Sequence, residues 1–259
     1  MEKYLEFAKR LAYEAGEIMR NYFDGEMKAD YKGDDTIVTV ADEEINQMVI
    51  DRVRESFPEH SVNGEEQSYG ESNFVWACDP IDGTAMFARG VPVAVFSLAL
   101  VVDGAPIVGV VYDPFMDKLY SAIKGEGAYK NDEKIIVNDV RIGDRREVSN
   151  FDYWPEAKLG LGVVLDAFNK ASSYFISVGS VARAAMCVAS GDFVMGIFAG
   201  TEGKNVDVAA AKIIIEEAGG KMTDIYGNEQ RYDGDIKGAI YSNGVVHDEV
   251  VKIVKENMR

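Results

Sequence analysis

Between Val91 and Val102 the chain reads VPVAVFSLALVV, an apolar run without a charge. It is too short to cross a bilayer, which takes about 20 residues as a helix. A strand over 93–102 has no polar face to turn to water, so both of its faces must be covered. That requirement selects layered architectures, in which helices lie against a sheet on either side. The flanking sequence supplies the layers. Residues 2–23 place Leu5, Ala8, Leu11, Ala12, Ala15, Ile18, Met19 and Tyr22 on one helical face. A second helix is predicted over 41–56, with Ile45, Met48, Val49 and Val53 inward and Asp42, Glu43 and Glu44 at its positive N-terminal end. Further strands are predicted at 74–78, 106–112 and 118–123, separated by the turn signals VDGAP (102–106), DPFMD (113–117) and GEGAY (125–129). Helical patterns return at 155–169, 180–190, 206–218 and 247–257. The charged stretch RIGDRRE (141–147) is the candidate boundary between two lobes, 1–145 and 146–259, acting as one unit. The whole reads as a layered α/β (α+β) protein.

Charge and cysteine usage exclude several function classes. There are 44 acidic residues against 27 basic ones, a formal charge of −17. Such a field argues against binding nucleic acid or an anionic membrane. The N-terminal MEKYLEFAKRLAYEAGEIMR is charged throughout and has no apolar signal-peptide core, so a cytoplasmic protein is expected. Cys78 and Cys187 both sit in apolar surroundings and read as reduced core residues rather than a disulfide. Neither His60 nor His247 has a cysteine or second histidine at ligand spacing. Surface or capping roles are expected for both, which argues against catalysis through histidine.

The candidate chemistry lies in VWACDPIDGTAMF (75–87), where an apolar strand runs directly into Asp79 and Asp82. Two readings fit. Asp-Pro and Asp-Gly are common turn pairs. Alternatively, the carboxylates stand at the end of a central strand, where ligands collect. Asp82-Gly83-Thr84 would then open a short helix whose free N–H groups favour phosphate. Carboxylates beside phosphate are electrostatically coherent only with cations between them, and oxygen donors without His or Cys suit Mg²⁺ or Mn²⁺. Glu65 and Glu66 in NGEEQS (63–68) precede this strand, and Asp207 opens NVDVAAAKIIIEEAGG (205–220). An acidic residue at a helix start reads equally well as a cap or a dipole partner.

GEE, DPIDGT and VDVAAA…EEAGG, in that order, resemble the inositol monophosphatase family of Mg²⁺-dependent, lithium-sensitive phosphatases. The resemblance runs along the chain through TVADEE (39–44), GVVYDP (109–114), KGEGAYKN (124–131) and SVGSVARAAMCVASG (177–191). It implies a layered αβαβα sandwich with a metal site between the lobes, holding two or three Mg²⁺ ions with Mn²⁺ as a substitute. By position, Glu65, Asp79, Asp82, Asp207 and the Ile81 carbonyl resemble the metal ligands. Asp42 resembles the residue that helps hold a further metal or its water and partners Thr84. The backbone of Gly83 and Thr84 would receive phosphate. Gly179 and Ser180 match a pocket-lining segment, and Asp82 and Arg183 join them as candidate substrate contacts. Glu65 with the Thr84–Asp42 pair would orient and deprotonate a water for in-line attack, without a covalent intermediate.

Two positions depart from the inositol-selective pattern. Val206 replaces the tryptophan that usually precedes the metal aspartate, and Val194 replaces an acid before MGI (195–197). The connection FAGTEGKN (198–205) is longer than usual and carries Glu202 and Lys204. Arg183 and Lys204 are placed either to meet a second phosphate or sugar hydroxyl, or to act as solvated surface charges. The expected activity is hydrolysis of a small sugar or polyol phosphate such as inositol monophosphate. Fructose 1,6-bisphosphate, histidinol phosphate and adenosine bisphosphate are alternatives within the family; a metal-binding regulator is the alternative outside enzymes. The expected partners are a small phosphorylated metabolite and a second copy of the chain, with no nucleic acid or membrane.

Overall fold

The computed structural model describes residues 1–23, 29–31, 37–153, 160–199 and 205–257. Helix α1 (Glu2–Phe23) buries Leu5, Ala8, Leu11, Ala12, Ala15 and Met19 along the predicted face. A two-stranded ribbon, β1 (Ala29–Tyr31) and β2 (Ile37–Thr39), leads into α2 (Val40–Ser56). At that junction the Thr39 N–H and hydroxyl both donate to Asp42 Oδ2, at 2.8 and 2.5 Å. This is the backward half of a capping box, and it fixes the Asp42 side chain over the first turn.

A seven-stranded sheet follows in chain order: β3 (Ser61–Gly64), β4 (Phe74–Asp82), β5 (Val95–Val102), β6 (Ala105–Asp113), β7 (Lys118–Ile123), β8 (Gly127–Lys130) and β9 (Glu133–Ile135). Only β3 and β4 pair in parallel; the rest form an antiparallel meander. The short helix α3 (Thr84–Phe87) interrupts the path from β4 to β5. The second sheet is built from β10 (Ser149–Tyr153), β11 (Phe175–Ile176), β12 (Met195–Ala199), β13 (Lys221–Thr223) and β14 (Ala239–Ser242), in the order β11-β10-β12-β14-β13. Here β10 runs parallel to both β11 and β12. Helix α4 (Leu161–Lys170) falls between β10 and β11. Helices α5 (Val181–Ala189) and α6 (Asn205–Glu217) flank β12, and α7 (His247–Asn257) ends the described chain.

The helices complete five layers. Helices α1 and α2 cover one face of the large sheet, α5 and α6 fill the space between the sheets, and α4 and α7 cover the far face of the small one. Strand β5 shows why. Phe96, Leu98 and Leu100 enter the cluster with α1 and α2, while Val95, Ala99 and Val101 enter the cluster with α5 and α6. Each large apolar side chain buried this way contributes about 1.5–3 kcal/mol. Gly109 on β6 lets α6 approach closely: a Cβ there would lie 2.6 Å from Ile213 Cγ2 and 3.0 Å from the Ala210 carbonyl oxygen. The αβαβα sandwich is therefore present, with both faces of the apolar strand covered.

Several local expectations are corrected. Strand β4 extends to Asp82 rather than stopping at 78, and β8 begins at Gly127, inside the predicted GEGAY turn. Helix α4 begins at Leu161; residues 155–159 of the predicted helix lie outside the described residues. The histidines are neither surface nor capping groups. His60 is buried, stacked between Phe57 and Phe74 at 4.9 Å from each ring, and accepts a hydrogen bond from Trp76 Nε1 at 3.1 Å. His247, 1% exposed, sits 3.0 Å from both Thr223 Oγ1 and Ser242 Oγ. Cys78 is buried and Cys187 half-buried, and both are free thiols. Among the described residues, no helix is long and apolar enough to cross a membrane.

Candidate active site

Strand β4 explains how two carboxylates three residues apart come to act together. In a regular strand such residues point to opposite faces. Here Asp79 pairs with Ser97 and Asp82 with Val95, so three steps on β4 match two on β5. The extra residue is a bulge, and it restores Asp82 to the face that Asp79 occupies. Ile81 turns the other way, into the core beneath α1 and α2. The Ile81 N–H donates to Asp79 Oδ1 at 3.0 Å, and the Ile81 carbonyl accepts from Thr84 Oγ1 at 2.9 Å.

Glu65 reaches the site through the parallel partner strand. Gly64 lies opposite Cys78, and the Glu65 N–H donates to the Cys78 carbonyl at 3.0 Å. Asn46 of α2 clamps the following turn, accepting from the Glu66 and Gln67 N–H groups and donating to the Gln67 carbonyl at 2.9 Å. Asp207 arrives from the first turn of α6. One carboxylate oxygen from each of Glu65, Asp79 and Asp207 lies within 4.8 Å of the others.

The α5 segment closes the other side. Ser180 caps α5, accepting from the Arg183 N–H at 3.2 Å. Its hydroxyl donates to Asp82 Oδ2, which also accepts from the Ala182 N–H at 2.6 Å. Gly83 has φ +96° and starts α3; a Cβ there would come within 3.0 Å of the Gly179 carbonyl oxygen and 3.1 Å of Ser180 Cβ. Both the backbone sign and the space demand glycine. Thr84 Oγ1 stands 3.2 Å from Asp42 Oδ1, the oxygen that Thr39 leaves open. Thr84 also begins α3, where N–H groups have no intrahelical acceptor.

These carboxylates share a charge problem. Burial pushes Asp79 well above the usual range, and Glu65, Asp207, Asp82 and Asp42 push it further. Burial raises Asp82 to about 6 despite the donors from Ser180, Ala182 and Val181. It raises Asp42 to about 7, against the bonds from Thr39. A buried acidic cluster built of oxygen donors is the environment a hard divalent cation such as Mg²⁺ fits.

Glu65, Asp79 and Asp207 converge, Asp82 is tied to Ser180 and Ala182 beside them, and Asp42 is linked to them through Thr84 and the Ile81 carbonyl. Arg183 is half-buried, its Nη1 paired with buried Asp113 and its Nη2 3.0 Å from Met116 Sδ. Val194 packs with α4 and α7, and Val206 enters the layer between the sheets. Glu202 and Lys204 lie outside the described residues. No local pattern marks Asp152 on β10. Burial, followed by the charge of Asp82, raises it to about 7, and Asn150 Nδ2 donates to its Oδ2.

The sequence profile of the inositol monophosphatase family matches residues 1–259. A Thermotoga maritima protein named fructose-1,6-bisphosphatase/inositol-1-monophosphatase is 32% identical over 256 residues, covering 97% of this chain and 96% of that one. A solved Thermotoga maritima IMPase aligns with a TM-score of 0.87 at 31% identity, over 99% of this chain and 98% of that one. An IMPase/NADP phosphatase complexed with Mg²⁺ and phosphate aligns with a TM-score of 0.86 at 29% identity, over 99% and 96%. With a match from end to end, on this fold and around this cluster, the chain belongs to the inositol monophosphatase family.

Proposed function

We propose that this protein is a Mg²⁺-dependent hydrolase of small phosphate monoesters, with a sugar or polyol phosphate as substrate. The convergence of Glu65, Asp79 and Asp207 carries the reading. Glu65, Asp79, the Ile81 carbonyl, Asp82 and Asp207 would hold the cations. When bound, divalent cations supply Lewis-acid charge stabilisation and lower the pKa of water. The chain's own residues do the rest. Glu65 takes a proton from the attacking water. Thr84 orients that water through its hydroxyl, which Asp42 Oδ1 and the Ile81 carbonyl hold. Thr39 fixes the Asp42 carboxylate so that Oδ1 stays aimed at Thr84. First-turn N–H groups at Gly83 and Thr84 receive phosphate oxygens. Water attacks in line, the new P–O bond forms as the bond to the alcohol breaks, and no side chain is phosphorylated. Gly179 and Ser180, the latter bonded to Asp82, would line the substrate pocket, and Arg183, paired with Asp113, would be a further substrate contact.

The same proposal includes two or three ions with Mn²⁺ as a substitute, lithium sensitivity and a cytoplasmic homodimer. It also includes lobes 1–145 and 146–259 working as one unit, supported by the bond from Ser180 in the second to Asp82 in the first. Fructose 1,6-bisphosphate is the second substrate reading, favoured by the name of the Thermotoga relative. Phosphate release from inositol 1-phosphate, fructose 1,6-bisphosphate, histidinol phosphate and adenosine 3′,5′-bisphosphate, with Mg²⁺ and with EDTA, tests both. EDTA-sensitive release supports the hydrolase, and the ranking selects the substrate. No release from folded, Mg²⁺-loaded protein refutes it.

A further inference from the structure

Buried carboxylates are costly, so each needs donors or a cation. Outside the group already described, most have them. Asp113 pairs with Arg183. Glu147 takes the Gly143 N–H and the hydroxyls of Ser149 and Ser173. Asp224 accepts the Tyr226 and Asn228 N–H groups at 2.8 and 2.7 Å. Asp152, only 7% exposed, differs. Among the described residues it has neither a cation nor a backbone donor. Its partners are two neutral side chains, the Asn150 amide and the Ser177 hydroxyl. A carboxylate accepts about four hydrogen bonds, so capacity remains.

Its position says what that capacity faces. Strands β11, β10 and β12 run parallel side by side, so their carboxyl ends emerge at one edge. From β11 the chain passes through 177–179 to Ser180, which holds Asp82; after β12 comes α6 with Asp207. Asp152 stands near the carboxyl end of β10, between those two exits. Ligands of such sheets gather at that edge. Asn150 ties the arrangement together: Nδ2 grips Asp152, while Oδ1 accepts the Val178 N–H at 3.0 Å and so fixes the approach to Gly179 and Ser180. The carboxylate thus stands at the strand-end edge onto which the pocket proposed above would open, outside the Glu65–Asp79–Asp207 cluster.

We propose that Asp152 accepts hydrogen bonds from hydroxyl groups on the alcohol part of the substrate. It thereby selects polyol and sugar phosphates over phosphates whose alcohol bears no further hydroxyl. This rests on the hydrolase reading and adds the residue that reads the leaving group. The test compares wild type with Asp152→Asn and Asp152→Ser as full-length, Mg²⁺-loaded proteins. It measures kcat and KM for inositol 1-phosphate and for 4-nitrophenyl phosphate, whose ring carries no hydroxyl. It also measures the Mg²⁺ concentration for half-maximal rate. Losing hydrogen bonds to a charged acceptor should lower the ratio of kcat/KM for the polyol ester to that for the aryl ester by about ten- to a hundredfold. The loss should fall chiefly in KM for the polyol ester, with Mg²⁺ half-saturation within about twofold of wild type. An unchanged ratio in a folded variant overturns the proposal. So does an equal loss on both esters, or a loss that tracks weakened Mg²⁺ half-saturation. Wild-type protein inert on every ester would instead refute the hydrolase reading.

Discussion

Replacing Asp82 with Asn should stabilise the metal-free protein while removing its response to Mg²⁺. The Asp82 carboxyl titrates at about 6 in the fold against an ordinary 3.8. Between those values the folded chain binds a proton that the unfolded chain has released, so this group's contribution to stability falls as pH rises from about 4 to 6 and stays low above. At about 1.4 kcal/mol per pH unit, the gap withholds about 3 kcal/mol from the metal-free fold at neutral pH. Asn keeps the acceptor for Ser180 and Ala182 but never carries the charge. At 2–4 °C per kcal/mol for a chain of this size, Asp82→Asn should unfold roughly 6–12 °C above wild type in EDTA at pH 7. The comparison must be between the two proteins. His247, lowered to about 4 chiefly by burial, makes stability rise with pH over about 4 to 6.5 and opposes the Asp82 slope, but it is common to both. Thermal unfolding in EDTA from pH 4 to 7.5 should show the difference shrinking towards zero near pH 4. Added Mg²⁺ should nearly close the gap at a hundred times its Kd, where it adds about 2.7 kcal/mol to wild type alone, and reverse the order at a thousand times, where it adds about 4.1 kcal/mol. A variant less stable than wild type in EDTA at pH 7, or a gap that widens on acidification, refutes the reasoning.

Three other substitutions probe separate parts of the assembly. Thr84→Val should lower kcat by about 10²–10⁴-fold with little change in KM, and Thr84→Ser should restore most of it; steady-state kinetics decide, and equal Val and Ser variants would remove the hydroxyl from the mechanism. Gly83→Ala must hold an L-residue at φ +96° against Gly179, at a cost of about 1–3 kcal/mol. Urea unfolding should register that loss, and an unchanged midpoint would contradict the close approach. Gly109→Ala presses on Ile213 and Ala210, and overpacking of this kind costs about 1–3 kcal/mol. Because it shifts α6, it should also raise the Mg²⁺ half-saturation through Asp207; tight Mg²⁺ binding in a destabilised variant would separate helix packing from the site.

Short segments drew attention to the site, but the residues alone left a turn and a metal site both open, and the ligand set came from the family resemblance. The bulge in DPIDGT exists only in the pairing with β5, whereas the segment carries its own left-handed Gly83 and its helix start, and neighbouring residues decide both. The apolar run 93–102 announced its two covered faces for the same reason. What escaped depends on partners distant in sequence. His60 looked like a surface group until Phe57, Phe74 and Trp76 closed around it. Arg183 read as either a substrate contact or a solvated charge because nothing local points to Asp113, seventy residues away. Asp152 occupies an unremarkable strand, and only the parallel alignment of β10 with β11 and β12 brings it towards Asp82.

The same division accounts for how the site is made. The segments that were legible supply negative charge: Asp79 and Asp82 at the end of β4, Glu65 beside them and Asp207 at a helix start. The long-range contacts supply what orients that charge. Asp82 is aimed by Ser180 and Ala182, Thr84 by Asp42 forty-two residues away, and the Glu65 turn by Asn46. A carboxylate cluster alone would repel itself and splay apart. Held on the large sheet and on the helices α2 and α6 packed against its two faces, it cannot relax, and the strain is relieved by protonation or by a cation. The high pKa values and the proposed Mg²⁺ dependence are therefore two consequences of one packing arrangement. A substitution that loosens α5 or α6 should lower the Asp82 pKa and the Mg²⁺ affinity together.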